Sequence, residues 1–345
     1  MSAAMRIGIA FDLKEHQVGE GPQPDDLFEE YDPPETVAAV ARVLRGLGHE
    51  TAGLGGRREF LERMVGYASL GTIDLVFNMA EGYGSRSREA HVPAVCEMLG
   101  VAYTHSDPLT LAVTLDKELT KRIAASHGIA TTPSCLINQV GDVLETLFPP
   151  FPLIPKPNRE GSSMGIRRDS LCYDRDSLLQ HVEVLLANYG QPVLVESFLP
   201  GAEVTVAVMG NGAGAVVIGA MEIAPRCGNA TEFIYSVETK RNYLAEVDYY
   251  VPPRLPSSTL RAIEDAALAT YQALGCRDIA RIDMRLDREG GPHLLEVNAL
   301  PGLDPVRSDV PILCRLLGIS YAQLVGNIVQ EAVDRLHLPS RHRNS

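Results

Sequence analysis

The chain has 345 residues, of which 45% are hydrophobic and 22% charged, and a formal net charge of −13. That length predicts two or three packed domains. The acidic balance argues against a nucleic-acid partner, which needs clustered Lys and Arg, and no apolar run of about 18 residues is present to span a membrane.

Six cysteines without a CxxC pair and nine histidines without an HxxxH pair point to a reduced protein lacking a disulfide framework or a zinc site. The opening MSAAMRIGIAF carries no basic stretch ahead of a long apolar segment, so it does not read as a signal peptide and the expected location is cytoplasmic.

In chain order, Arg6–Phe11 reads as a short apolar strand. Residues 12–35 hold nine acidic side chains with Pro and Gly and little periodicity; they read as a long loop, either solvated or attracting a cationic group on a substrate. Thr36–Leu47 is an amphipathic helix ending at Gly48, and Asp74–Asn78 is a buried strand followed by a glycine-bearing turn. A helix near Glu89–Leu99 and a strand from Gly100 to Thr104 follow. This alternation predicts a parallel sheet with helices on its faces.

Beyond Leu115 come a helix (Asp116–His127), a strand (Ser134–Asn138) and Pro-rich punctuation at 148–152. The strand Leu153–Pro157 runs into a Gly-Ser loop, Asn158–Gly165, and Val193–Glu196 is a further strand. Val204–Met209 and Ala215–Ile223 flank Gly210-Asn211-Gly212, a hairpin signal. Helices over Thr259–Leu274 and Tyr321–Leu336 enclose a second hairpin, and the last residues read as a frayed tail.

That second hairpin, Arg281–Asp287 and His293–Asn298 around a Gly-Gly turn, carries the most chemistry. Strand side chains alternate faces. Ile282, Met284 and Leu286 therefore share a core face with Leu295 and Val297. Arg281, Asp283, Glu296 and Asn298 share the other, with Asp283 expected opposite Glu296 and Arg281 opposite Asn298. Two carboxylates and an amide oxygen are hard ligands suited to Mg²⁺; a solvated polar face is the plain alternative. Upstream, Lys156 ends a strand ahead of Asn158–Gly165, a loop whose glycines and Ser162 and Ser163 can turn donors toward phosphate. No Walker A sequence occurs, and the alternative is an ordinary connection.

Loop and hairpin, in this order, resemble the ATP-grasp superfamily, and within it the D-alanine–D-alanine ligase family. The resemblance runs from about Asp74 to Leu336 through Val101-Ala-Tyr-Thr-His-Ser, Leu115-Asp-Lys117, Lys156-Pro-Asn-Arg-Glu-Gly-Ser-Ser-Met-Gly165, Val195-Glu-Ser-Phe-Leu-Pro-Gly-Ala-Glu203, Arg281-Ile-Asp283 and Leu295-Glu-Val-Asn298-Ala-Leu-Pro-Gly302. It implies an α/β protein, α+β in its C-terminal lobes, with the ATP-grasp fold. The expected segments are an N-terminal α/β domain (1–107), a middle lobe with the phosphate loop (108–192), a C-terminal lobe with the metal hairpin (193–338) and a tail (339–345).

It implies ATP and two Mg²⁺ ions, for which Mn²⁺ can substitute. Lys117, Lys156 and Lys240 would contact phosphates, and the loop with Ser162 and Ser163 would close over them. Glu196, the backbone at Phe198 and Leu199, and Glu203 would hold adenine and ribose. Asp283, Glu296 and Asn298 would bind the metal, and Arg281 with the Gly302 N–H would face the oxyanion. The implied reaction joins a carboxylic acid to an amine, both small molecules and amino acids by expectation, in a homodimer.

The departures from the family pattern fall around the amino-acid pockets. The family's early glutamate has Glu15 as its nearest substitute, a Glu-Asp-Gly stretch is replaced by Arg88-Glu89-Ala90, a tyrosine by Arg241, and a serine by Arg307 with Ser308 adjacent. D-Ala–D-Ala ligation for peptidoglycan is the leading named activity, a sibling ligase with another substrate pair is its rival, and a non-catalytic nucleotide-binding module is the remote alternative.

Overall fold

The computed structural model describes residues 4–16 and 23–337; the expected tail, 339–345, and part of the acidic stretch lie outside them. Three sheets organise the chain. A parallel sheet has the order Glu50–Gly55, Arg6–Phe11, Leu75–Met79, Ala102–Tyr103. A three-stranded antiparallel sheet has the order Ser134–Ile137, Val193–Ser197, Leu153–Pro157. A five-stranded antiparallel sheet has the order Val247–Tyr250, Val216–Pro225, Glu203–Met209, Ile279–Leu286, Pro292–Asn298.

The parallel sheet is flanked by helices Pro34–Gly46, Arg57–Leu70 and His91–Leu99. The first starts with Pro at its opening position, where a missing N–H costs nothing, and buries Thr36, Ala39, Val40 and Leu44, one stripe at helical spacing. Helix Arg57–Leu70 has no counterpart in the sequence reading because only Phe60 and Met64 are buried along it, too few apolar anchors to make a period. The strand expected over Gly100–Thr104 shortens to Ala102–Tyr103, since Gly100 at φ 67° closes the preceding helix.

Val193–Ser197, which the sequence reading starts the third segment with, is the central strand of the middle sheet. The break between the two antiparallel sheets therefore falls after Ser197. In the five-stranded sheet, alternation sends Val204, Val206 and Val208 toward helix Ser257–Ala273, and Ala207 and Met209 toward helices Asp309–Leu316 and Tyr321–Leu336. The latter core also takes in Ile7, Ile9, Leu44 and Phe77, so the first and last parts of the chain share one interior.

The second hairpin pairs as expected, with Arg281 opposite Asn298 and Asp283 opposite Glu296. One assignment on its core face changes. The register shifts between Asp283 and Met284, so Met284 faces Leu294, which is fully buried, and Leu295 turns to the cleft. A bulge inserts one residue and inverts the alternation beyond it.

Candidate active site

Two adjoining cavities of about 240 and 80 Å³ form one cleft; the smaller lies between the two antiparallel sheets, the larger between the N-terminal segments and the five-stranded sheet, and Lys117, Lys240, Arg281 and Glu296 border both. The smaller is lined by Ile154, Phe198, Leu199 and Leu295 around Lys156, Glu196 and Glu203.

Lys156 and Glu196 sit diagonally on adjacent strands, Ile154 being the residue directly opposite Glu196, which brings long side chains within reach. Lys156 Nζ lies 2.5 Å from Glu196 Oε1. The other oxygen of Glu196 accepts from Lys121 and, at 2.8 Å, from Thr132. Burial would raise the Glu196 carboxyl, but Lys121 and Lys156 outweigh it and hold the group at about 2. Burial, with Lys156 close by, lowers Lys121 to about 8. Lys121 was missed in the sequence, although it lies one helical turn after Lys117 on helix Lys117–Ser126, a readable signal. The backbone at Phe198 and Leu199 also has partners within the chain: the Phe198 N–H donates to the Pro152 carbonyl at 3.0 Å, and Arg285 donates to the Leu199 carbonyl at 2.6 Å. Arg285 also pairs with Glu203 at 3.0 Å.

Above the cleft, the loop after Lys156 contains two adjacent left-handed residues, Ser162 (φ 48°) and Ser163 (φ 60°). Such backbone costs about 1 kcal/mol or more per residue. It is held by Ser163 Oγ, which donates to the Tyr235 carbonyl at 2.6 Å, and by carboxylates on both sides. Glu30 accepts the Gly161 N–H, and Asp26 accepts the Gly165 N–H at 2.9 Å.

Those carboxylates come from the stretch expected to be a solvated loop. Instead Asp26 is fully buried, with the Tyr189 hydroxyl and Arg167 as further partners at 2.7 and 2.9 Å. Asp25 pairs with Arg167 at 2.5 Å and Arg241 at 2.7 Å, and Glu29 pairs with Arg241 at 2.9 Å. Asp25, Asp26, Glu29 and Glu30 are therefore paired with arginines of the same chain, and for these four residues the structure departs from the solvated loop.

On the hairpin, Asp283 accepts from Thr205 at 2.6 Å, from Arg281 Nε and Nη2 at 3.0 and 2.9 Å, and from Asn298 Nδ2 at 3.2 Å. Arg281 also lies 3.4 Å from Asp309, and Glu296 lies 3.2 Å from Lys117. Despite burial, Lys117, Lys156 and Arg281 keep Glu296 ionised, well below the usual carboxylate range. No three His, Cys, Asp or Glu residues among those described form a closed metal cage. Asp283, Glu296 and Asn298 form an open set of hard oxygen donors, which fits Mg²⁺, an ion that completes its shell with phosphate and water.

The larger cavity gathers Ser162, Glu89, Arg241, Gly302, Arg307 and Ser308. Lys240 lies over the Tyr235 ring at 4.9 Å. Arg307 is half-exposed and engaged with Asp304 at 3.0 Å, and the Ser308 hydroxyl accepts the Asp304 N–H at 3.0 Å. A Cβ on Gly302 would stand 2.9 Å from Ser308 Oγ, so the close approach there favours glycine. Glu15 is not brought in: it is exposed on the turn Lys14–His16, and its neighbour Lys14 borders the cavity instead. Glu30, Glu81 and Glu160 do border it and were missed. Glu160 stands within the Lys156–Gly165 stretch, whereas Glu30 and Glu81 come from two other separated segments that no local motif marks.

The family model for the D-ala D-ala ligase C-terminus matches residues 134–330. The chain belongs to the D-alanine–D-alanine ligase family. Within that family, the D-alanine–D-alanine ligase of Bordetella petrii is 34% identical over 284 residues, 81% of this chain and 82% of that protein. An uncharacterised Sinorhizobium fredii protein, y4sG, is 34% identical over 304 residues, 85% of this chain and 86% of that one. Among solved structures, the D-alanine–D-alanine ligase of Bacillus anthracis complexed with ATP aligns with a TM-score of 0.71 at 24% identity, covering 97% of this chain and 98% of that one. The VanG D-Ala:D-Ser ligase of Enterococcus faecalis aligns at 0.71 and 20%, covering 96% and 100%. At these identities the structural likeness speaks for the fold, the ATP-grasp arrangement expected from the sequence.

Proposed function

We propose that this protein is an ATP-dependent ligase that joins a carboxylate to an amine through an acyl phosphate, releasing ADP and phosphate. The observation that carries the reading is the convergence of Lys117, Lys156, Lys240 and Arg281 with Asp283, Glu296 and Asn298 around one cleft beneath the loop 158–165.

A carboxylate is a poor electrophile, and transfer of the ATP γ-phosphoryl group to it makes it reactive. Catalysis of that transfer is mostly positioning and charge neutralisation. Lys117, Lys156 and Lys240 supply fixed positive charge where the triphosphate would lie, and adenine would occupy the apolar cavity near Phe198 and Leu199, with Glu203 toward the ribose. Glu196, enclosed by two lysines and a threonine, acts as the anchor that aims Lys156. Asp283, Glu296 and Asn298 would hold Mg²⁺, two ions by the family pattern, which neutralises phosphate charge when bound. Amine attack on the acyl phosphate builds an oxyanion, for which Arg281 and the Gly302 N–H are the available donors. The loop with Ser162 and Ser163 would shield the acyl phosphate from water.

The three lobes are read as an N-terminal α/β lobe, a middle lobe and a C-terminal lobe. A homodimer and a cytoplasmic location belong to the same proposal; no single described helix is long and apolar enough to cross a membrane.

D-Ala–D-Ala ligation, in peptidoglycan synthesis, is the activity named for relatives such as the Bordetella petrii ligase. A sibling ligase with another substrate pair is favoured by Glu81, Glu89 and Arg241 on the cavity wall. The deciding experiment is phosphate release from ATP and Mg²⁺ with D- and L-amino acids, singly and in pairs, with mass spectrometry of the products. Release with an amide product supports the ligase; no release with any pair removes it. A D-Ala–D-Ala product selects the cell-wall activity, and release only with other pairs selects the sibling.

A further inference from the structure

The lining of the larger cavity around Arg88 is crowded with acid. Glu30, Glu81, Glu89 and Glu160 all border it, and one buried arginine, Arg88, stands among them. Arg88 Nη2 is committed to Glu30 and, at 3.2 Å, to Glu160. Glu30 also accepts the Gly161 N–H, and Glu160 accepts from Gln191 at 2.6 Å. These two glutamates have their partners.

The other two do not. Glu89 is 8% exposed and borders the cavity, yet its nearest cation is Arg88 Nη1 at 3.8 Å, beyond hydrogen-bond range. No hydrogen bond reaches the Glu89 carboxylate from any described residue, and Arg88 Nη1 is itself without a hydrogen-bond partner. Glu81 borders the same space with no hydrogen bond from a described residue, and the charges of Glu30, Glu89 and Asp32 act on it together with that of Arg88. Glu81 is partly buried and Glu89 buried, and a buried carboxylate that faces a cavity without a donor is unfavourable unless a ligand completes it.

We propose that Glu81 and Glu89 form a cation subsite for a protonated side-chain amine, so that one of the two ligated substrates is a diamino acid. The inference rests on the ligase reading above. A primary ammonium offers three donors and a positive charge, the complement of two acceptor-only carboxylates. A simple amino acid is less suited. It is a zwitterion of zero net charge, and its one ammonium stands beside its own carboxylate, so it brings no net positive charge to the glutamates. A diamino acid brings one net positive charge. Burial and the neighbouring glutamates push Glu89 up to about 8 and raise Glu81, outweighing the opposing charges of Arg88 and, for Glu89, Lys117.

The test is calorimetric binding of matched pairs to the full chain, in both enantiomers, with a non-hydrolysable ATP analogue present. Ornithine is compared with norleucine, and 2,4-diaminobutyrate with norvaline, each pair differing only by ammonium against methyl. The diamino acid of a pair should bind at least about tenfold tighter, and Glu81→Gln and Glu89→Gln should bring that ratio toward one without changing affinity for the analogue. Equal or tighter binding of the methyl analogues, a ratio unaffected by both substitutions, or no binding by either member overturns the subsite. Because binding is read without turnover, the ratio stands or falls independently of phosphate release, which tests the ligase reading.

Discussion

The carboxylate of Glu30 accepts the backbone N–H of Gly161, 131 residues further along the chain. Four residues away at each end, Asp26 does the same for Gly165, and Arg167 closes the contact on Asp26 at 2.9 Å. The N-terminal segment thus grips both ends of the loop proposed to cover the phosphates. Replacing Asp26 by Ala leaves the Gly165 N–H and the Tyr189 hydroxyl without their acceptor and removes one of the carboxylates around Arg167, which keeps Asp25 and Glu238. We expect a loss of about 3 kcal/mol in chemical denaturation and a severalfold rise in KM for ATP. An unchanged KM would mean the grip serves stability alone.

Lys121 holds Glu196 from the side opposite Lys156. Lys121→Met should cost about 3 kcal/mol, because a buried carboxylate loses half its counter-charge. Glu196 would then draw on Lys156 alone, and ATP use should weaken although Lys121 borders neither cavity. The double variant with Glu196→Gln should recover part of the stability, by a coupling of about 1–3 kcal/mol in a double-mutant cycle. Additive losses would show that the pair is not energetically linked.

Asp283 and Glu296 are cross-strand partners on the cleft face. Asp283→Asn and Glu296→Gln each preserve shape while removing charge, and turnover should fall by at least about a hundredfold with circular dichroism unchanged. Chelation should stop wild-type turnover, and Mg²⁺ or Mn²⁺ should restore it. Retained activity in both variants would remove the metal assignment.

Stability should fall as pH rises through the neutral range. Burial, reinforced by neighbouring carboxylates, raises Glu89 to about 8, and Glu160 and Asp32 to about 7. Unfolded, glutamate loses its proton near 4.5. Between those values the raised carboxyls hold more protons in the folded chain than in the unfolded one, so their contribution to stability is full below about pH 4.5 and is lost progressively toward pH 8. The ligand-free melting temperature should therefore drop from pH 5 to pH 8.5, and Glu89→Gln should flatten the slope. A melting temperature rising over this interval would contradict the assignment.

The hairpin register was legible because strand parity and a Gly-Gly turn are local: Arg281, Asp283, Glu296 and Asn298 had to share a face wherever the hairpin packed. The lysine before the Gly-Ser loop was legible for the same reason. Leu295 was misassigned because a bulge is decided by how two strands fit against their neighbours, and neither strand marks it alone. Helix Arg57–Leu70 was invisible because only two of its residues reach the core.

The sequence by itself determined which residues of the second hairpin share a face and that a Gly-Ser loop follows Lys156, since each depends on residues a few positions apart. Only the tertiary structure decided the acidic wall of the cavity. Glu15 stands beside the expected position in sequence and turns outward, while Glu30, Glu81, Glu89 and Glu160 arrive from distant segments and meet around Arg88. It also decided that Asp25, Asp26, Glu29 and Glu30 of the acidic stretch meet Arg167, Arg241, Arg88 and two loop amides. Charge neutralisation acts through space, and a chain's order does not say which carboxylate will meet which arginine.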